Sequence, residues 1–422
     1  MQFKLQLFSV LIFLLISCKQ DATKIEAIQQ EDLPGVEQLN TSLDSLMQES
    51  VIPGLAVGIV DQEKVLYQKG FGYADLKNKE PFTPLTINAI ASISKTFIGV
   101  AVMKLVEQGL LDFEEAVNDI LPYKVTNPKF PETPILVKHL VTHTAGLYDE
   151  FDPEDVGEAD IVLLEELKYS PKDSAIMASD LDYYRLGKDM SMDDYLRRYL
   201  VKGEPWYTEE NYLNFQPGTR YEYSNVGADL AARIVELKSG MSFAQFTKKY
   251  IFEPLGMKYT AWFHQDVDSN LVTKIYRPDN WEEPNYAIEH PKYKYPAYAS
   301  GELKTNIHDL ILYTQDMIKG SKGNGQLLKP ESYQIMFQPT LDDSYFEEER
   351  GDYHLDDEYD VGVFWAVSAT GLRLHNGGMI GVYSFLYFDP EKERGAFAFC
   401  NLPDASFGNV IDIIYEFERS IQ

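Results

Sequence analysis

The chain has 422 residues, 45% of them hydrophobic and 13% aromatic, enough to fill a large core in more than one structural layer or domain. Its formal net charge of -28 argues against nucleic acid as a partner, because phosphate backbones are held by clustered lysine and arginine that displace counterions.

Met1-Gln2-Phe3-Lys4-Leu5 and the apolar stretch from Leu7 to Ile16 have the charged start and short hydrophobic run of an export signal, too short to span a bilayer. Leu15-Ile16-Ser17-Cys18 resembles a bacterial lipobox, in which Cys18 carries lipid and becomes the mature N-terminus. The polar stretch from Lys19 to Glu31 then suits a tether, and a lipid-anchored protein of the cell envelope is expected. The chain holds two cysteines, so a lipidated Cys18 leaves Cys400 without a disulfide partner, and stability must come from packing.

Val36 to Gln48 reads as an amphipathic helix, and Gly54 to Val60 with Lys64 to Gln68 as two strands around a polar Asp61-Gln62-Glu63 turn. Ser92-Ile93-Ser94-Lys95 then opens a long apolar run to Val106, read as a buried helix that Gly109 ends as a C-cap. Residues three apart share a helix face, so the Lys95 ammonium would stand beside the Ser92 hydroxyl. Such a neighbour can activate a serine, and the unpaired N–H groups of a helix start can receive an oxyanion.

After Gly109 the chain is mainly helical and loop-rich, with helical periods over Ile135 to His143, Met192 to Val201 and Ala228 to Lys238. His139 and His143 lie four apart, but Leu-Val-Thr intervenes, so the glutamate base of a zinc hydrolase is missing and no metal is expected. Tyr148 to Asp189 and Asp342 to Asp360 are acidic and read as solvated loops, and neither has the regular spacing of a calcium loop. Pro217-Gly218 makes a turn before Tyr223-Ser224-Asn225, whose phenol, if held near a lysine ammonium that lowers its pKa, could accept the serine proton as phenolate and whose amide could donate to a substrate carbonyl. Tyr212-Leu213-Asn214 is a second match to the same triplet. Lys238-Ser239-Gly240 ends a helix, so its glycine is read as a cap and its lysine as a dipole partner.

From about Ala297 strands return. Ser300 to Thr305 enters a helix over Ile307 to Ile318, with Asn306 or Thr305 as N-cap. Gly371 to His375, Val382 to Phe388 and Gly395 to Leu402 are β-rich, and Val410 to Glu418 closes as a helix. His375-Asn376-Gly377-Gly378 is read as a turn after the first of these strands, with N–H groups left free. Cys400 alternates with aromatics like a buried strand residue, a poor place for a nucleophile. No Gly-x-Ser-x-Gly exists, which argues against an α/β-hydrolase.

Three motifs in this order, Ser92-Ile93-Ser94-Lys95, Tyr223-Ser224-Asn225 and His375-Asn376-Gly377, resemble the serine beta-lactamase and DD-peptidase superfamily in its class C-like branch. His139 to Leu147, Pro217-Gly218 and Ser300-Gly301-Glu302-Leu303 add to the likeness, which covers roughly residues 37 to 420. The resemblance implies an α+β fold, a mainly antiparallel sheet flanked by helices, with a helical insert over about 112–296. The chain would divide into a signal peptide (1–17), a tether (18–35) and a catalytic domain (36–422). By the same resemblance Ser92 attacks a carbonyl, Lys95 and Tyr223 share the base role, Asn225 orients the substrate and His375 lines the far wall. The N–H groups of Ser92 and Gly378 would form the oxyanion hole beside Gly377. The implied activity is hydrolysis of an ester, amide or D-amino acid peptide through an acyl-enzyme, without metal or organic cofactor. Class C beta-lactamases usually carry Lys-Thr-Gly where this chain has His-Asn-Gly, so efficient beta-lactam hydrolysis is not expected.

Overall fold

The computed structural model describes residues 33–149, 160–346 and 360–421. Its centre is an eight-stranded antiparallel sheet built from both ends of the chain. The strands run in the order Asp360–Val361, Ala366–Val367, Arg373–Met379, Val382–Asp389, Arg394–Cys400, Gly54–Asp61, Val65–Asp75 and Glu80–Pro81. Gly54–Asp61 joins the two halves, with Leu55 opposite Cys400 and Asp61 opposite Arg394.

Both faces of this sheet are covered, which is why its strands read as near-continuous apolar runs. Leu55, Val57 and Ile59 face one layer, where the helices Val36–Glu49 and Phe407–Ser420 bury Leu39, Leu43, Val410 and Ile414 against them. Their neighbours Ala56 and Val60 face the other layer, with Phe397 and Phe399. That layer holds the helices Ser94–Glu107 and Ile307–Ser321. Phe97 stacks on Tyr313 between these two helices, with ring centroids 3.9 Å apart. The second helix is capped by Asn306, whose side chain accepts from the Asp309 N–H, one of the two caps that the sequence offers.

Outside the sheet lie the helices Pro171–Tyr184, Met192–Leu200 and Asn225–Ser239, with short two-stranded ribbons such as Ile275–Pro278 with Ala287–His290. The helix Asn225–Ser239 packs against Ser94–Glu107. It begins three residues earlier than periodicity suggests, because the Ser224 hydroxyl caps it by accepting from the Gly227 N–H. Tyr148 to Asp189 is not simply a solvated loop: it contains the helix Pro171–Tyr184 and the buried Ile161. The stretch expected to be an export signal, Cys18 and most of the expected tether, with parts of both acidic stretches, lie outside the described residues. No helix among the described residues is long and apolar enough to cross a membrane.

Gly58 sits opposite Phe397 in the central strand pair, and a Cβ there would stand 2.4 Å from that fully buried ring. Gly58→Ala should therefore destabilise the fold by about 1–3 kcal/mol through overpacking. In urea denaturation the midpoint is expected to fall at unchanged slope.

Candidate active site

Ser92 lies in a single 3-10 turn, Ala91–Ile93, that runs directly into the helix Ser94–Glu107. A short ribbon holds this turn in place: Asn88–Ala89 pairs with Lys304–Thr305, and the Ile90 N–H donates to the Leu303 carbonyl at 3.0 Å. Ala91, immediately before Ser92, adopts a left-handed conformation at φ 46°, a strained state for a residue with a Cβ.

Lys95 is 0% exposed, and its ammonium is satisfied by three acceptors from three parts of the chain. It donates to Ser92 Oγ at 3.2 Å, to Asn225 Oδ1 at 2.6 Å and to the Ser300 carbonyl at 2.8 Å. Asn225 thus spends its carbonyl on the lysine, which leaves its amide nitrogen to face a substrate. The Tyr223 ring lies over the same ammonium, 4.9 Å from Nζ to centroid.

Tyr223 is held by two histidines. His143 stacks on it with centroids 4.5 Å apart, and His143 Nδ1 accepts from the Ser224 N–H at 3.1 Å. His375 meets the same ring edge-on with centroids 6.3 Å apart and donates from Nδ1 to the Asn376 carbonyl at 2.6 Å. Burial, reinforced by the Lys95 charge, pushes the His375 imidazole down to about 3 and holds His143 well below its usual value. Both rings are neutral at ordinary pH.

His375, Gly377 and Gly378 do not form a turn after a strand, as expected from sequence, but lie inside the strand Arg373–Met379. The run stays extended because Val382–Asp389 pairs along it as far as Met379, while Ala366–Val367 covers only Arg373 and Leu374. Among the described residues no strand pairs with the other edge from His375 onward, and the turn that carries Ser92 packs against this strand. At Gly377 a Cβ would stand 2.7 Å from the Ile90 carbonyl, so only glycine lets the strand lie against the turn that carries the serine.

Two cavities meet here, and Ser92 and Gly378 line both. The larger, about 490 Å³, runs along Tyr223, His375, Tyr383 and Phe407. The smaller, about 200 Å³, is bounded by Asn225, Ser300 and the carboxyl groups of Asp149, Asp160 and Asp229. The Asp149 carboxylate accepts from the Ser224 hydroxyl at 2.8 Å and from the N–H groups of Asn225 and Val226, and so pins the start of the Asn225 helix. Asp229 accepts from the Ser300 N–H at 2.9 Å. Burial pushes its carboxyl up to about 7 against the opposing pull of Ser300 and Lys95.

The site therefore brings together Ser92, Lys95, Tyr223, Asn225, His375, Gly377 and Gly378. Sequence reasoning missed Asp149, which falls in a stretch read as solvated, and the role of His143 as a shelf for Tyr223. Asp229 did leave a signal: it stands four residues after Asn225, on the same face of a helix that is otherwise apolar along its buried side. The remaining motif-like stretches are structural. Tyr212, of the second triplet, donates its hydroxyl to the Leu200 carbonyl at 2.6 Å. Gly240 is a left-handed helix cap, and Lys238 pairs with Glu115 at 2.5 Å. Cys400 is fully buried, and its thiol is pushed up to about 12 by burial.

A mainly antiparallel sheet between helical layers, with this cluster at its open edge, is the beta-lactamase/transpeptidase-like fold. The family model described as Beta-lactamase matches residues 39–418, and the chain belongs to that family of serine hydrolases. Protein flp of Staphylococcus aureus (strain MW2) is 24% identical over 369 residues, which are 87% of this chain and 63% of that protein. This chain thus spans under two thirds of the length of that relative. Among solved structures, the octameric penicillin-binding protein homologue from Pyrococcus abyssi matches with a TM-score of 0.67 at 23% identity, over 91% of this chain and 77% of that one. The D-amino acid amidase from Ochrobactrum anthropi SV3 matches with a TM-score of 0.63 at 19% identity, over 91% and 99%.

The folded-state ionisation of Asp229, near 7, lies above its ordinary value near 4, so the folded state carries the cost of a buried charge increasingly as pH rises through that window. Asp229→Asn removes the charge. Its unfolding free energy at pH 8 should exceed the parent's by an amount on the order of 2–4 kcal/mol, and the gain should vanish near pH 4 when urea titrations are repeated across pH.

Proposed function

We propose that this protein hydrolyses an ester or amide bond through an acyl-enzyme formed on Ser92. The observation that carries the reading is the Lys95 ammonium, buried and shared among Ser92 Oγ, Asn225 Oδ1 and the Ser300 carbonyl. A lysine held so, one hydrogen bond from a serine that lines two cavities, has the arrangement of an activated nucleophile. Ser92 Oγ adds to the substrate carbonyl carbon, the bond from that carbon to the leaving group breaks, and the leaving group departs with the proton lost by the serine. Water then releases the acyl group.

All three hydrogens of Lys95 already point at acceptors. The serine proton therefore passes to the Tyr223 oxygen as that hydroxyl hands its own proton on to the leaving group, while the lysine charge offsets the negative charge developing between them. The Asn225 amide and the N–H groups of Ser92 and Gly378 are assigned to the substrate carbonyl and its oxyanion. His375 and His143, both neutral, keep the Tyr223 ring in place without competing for the proton. In the position where a beta-lactamase uses a lysine for the antibiotic carboxylate stands His375, a neutral ring, so beta-lactams are poor substrates in this reading. The D-amino acid amidase of similar fold makes a small amide a reasonable first substrate to try. We further assign the protein to the cell envelope through a lipid on Cys18, on the strength of Leu15-Ile16-Ser17-Cys18 alone.

Ser92→Ala should lower turnover of an ester or amide reporter roughly 10³-fold or more, and Tyr223→Phe roughly 10²-fold, with unfolding midpoints unchanged. Intact-mass spectrometry after a fluorophosphonate probe should show one adduct on the parent and none on Ser92→Ala. A parent that takes no adduct, or an alanine variant that keeps its rate, overturns the assignment.

A further inference from the structure

Beyond the two cavities at Ser92 lies a third space of about 570 Å³, walled by the helices Met192–Leu200 and Asn225–Ser239 and by the segments around Trp262 and Tyr295. Tyr295 lines both this chamber and the smaller cavity at Ser92, so this one residue separates them. A narrow void of about 30 Å³ lies between the same two spaces on another side, sharing Met379 with the cavity and His264, Glu302 and Lys304 with the chamber.

The chamber wall offers no unanswered charge. Arg233 pairs with Asp193 at 2.7 Å and Glu236 at 2.9 Å, Lys294 with Asp189 at 2.7 Å, and Lys304 with Glu302 at 2.9 Å. These are all the lysine, arginine, aspartate and glutamate side chains among its described lining residues. The Lys304–Glu302 pair is 3% and 4% exposed, so a ligand that broke it would leave a buried charge alone. His264 is neutral, pushed down to about 3 by burial and by Lys304 and Lys292. What the wall has left for a ligand is apolar and aromatic surface, from Met190, Met192 and Pro296 together with Trp262, Phe263 and Tyr298. Tyr298 meets Phe263 edge-on at 4.8 Å and Trp262 at 5.5 Å, and a further ring added to such a cluster gains buried area, ring-edge contacts and thioether neighbours.

The direction of the substrate follows from the proton path. Tyr223 hands its proton to the leaving group, and of the two cavities at Ser92 it lines the larger. The leaving group belongs there, and the acyl group points the other way, into the smaller cavity and toward Tyr295. The carboxyls it passes are already engaged, Asp149 by Ser224, Asp160 by Tyr183 and Asp229 by Ser300.

We propose that the chamber behind Tyr295 receives an uncharged aromatic group at the far end of the substrate's acyl chain, so that Ser92 acts on esters or amides of long arylalkyl acids. The proposal rests on the acyl-enzyme reading for the direction of the chain, and the chamber is also tested apart from it.

The p-nitrophenyl esters of acetic acid and of phenyl-ended acids from phenylacetic to phenylhexanoic share one leaving group, so their relative kcat/KM reports the acyl side. The value should rise roughly tenfold or more over acetate once the chain carries its ring past Tyr295. Met190→Trp and Leu164→Trp, each checked for an intact thermal transition, add a ring to the chamber wall and should each reduce that advantage severalfold. Phenylhexanol, which has no acyl bond to break, should bind the parent severalfold more tightly than Met190→Trp in calorimetry. A series without a rise, an advantage that survives both substitutions, or equal binding of the alcohol to parent and variant overturns the proposal. Tighter binding of the alcohol by a parent that takes no fluorophosphonate adduct upholds the chamber and sinks the Ser92 assignment instead.

Discussion

A lysine ammonium with no contact to solvent has to be paid for by its neighbours, and the arrangement around Lys95 is the constraint on which the rest of the site depends. Its three acceptors come from the turn before its own helix, from the first residue of the helix Asn225–Ser239, and from the segment at Ser300. Losing any one would leave a buried charge short of a hydrogen bond, a cost well above that of an ordinary bond. The three segments are therefore locked to one another through a single nitrogen, and Ser92 is held at the place where they meet.

Each acceptor is itself fixed one bond further out. Asp149 ties down the start of the Asn225 helix through the Ser224 hydroxyl and two backbone N–H groups, and Asp229 holds the Ser300 N–H. These carboxyls also place negative charge around Lys95 without touching it, which eases the burial of the ammonium while exposing the same oxygens to the cavity. On the other side the wall is made of rings without charge: His143 and His375 are kept neutral by burial and by the lysine, and Tyr223 touches both, stacked on the first and edge-on to the second. The serine stands between an acidic pocket and an aromatic one.

The sheet makes this possible by bringing the ends of the chain together. Gly54–Asp61 pairs with Arg394–Cys400, and the strand carrying His375 and Gly377 lies two places beyond. Gly377 then meets the Ile90 carbonyl, so the register of the last strands sets the distance from His375 to Ser92. The strained backbone at Ala91 is tolerated because the sheet edge, the ribbon at Asn88–Ala89 and the helix after it all hold that turn from different sides.

The sequence by itself determined the elements whose pattern is local: the helices over Val36–Glu49 and Ser94–Glu107, the strands near both ends, the Asn306 cap, and the motifs of Ser92, Tyr223 and His375, which carried the family resemblance. Apolar period, capping chemistry and turn glycines act over a few residues, so they are legible without a fold. Only the tertiary structure decided that the His375 glycines continue a strand, because that follows from pairing with Val382–Asp389. It also decided that Asn225 gives its carbonyl to Lys95, that His143 is a shelf for Tyr223, and that Asp149 leaves a seemingly solvated stretch to line the cavity. Burial of a polar side chain depends on which distant segments close over it, and no local pattern in the chain records that.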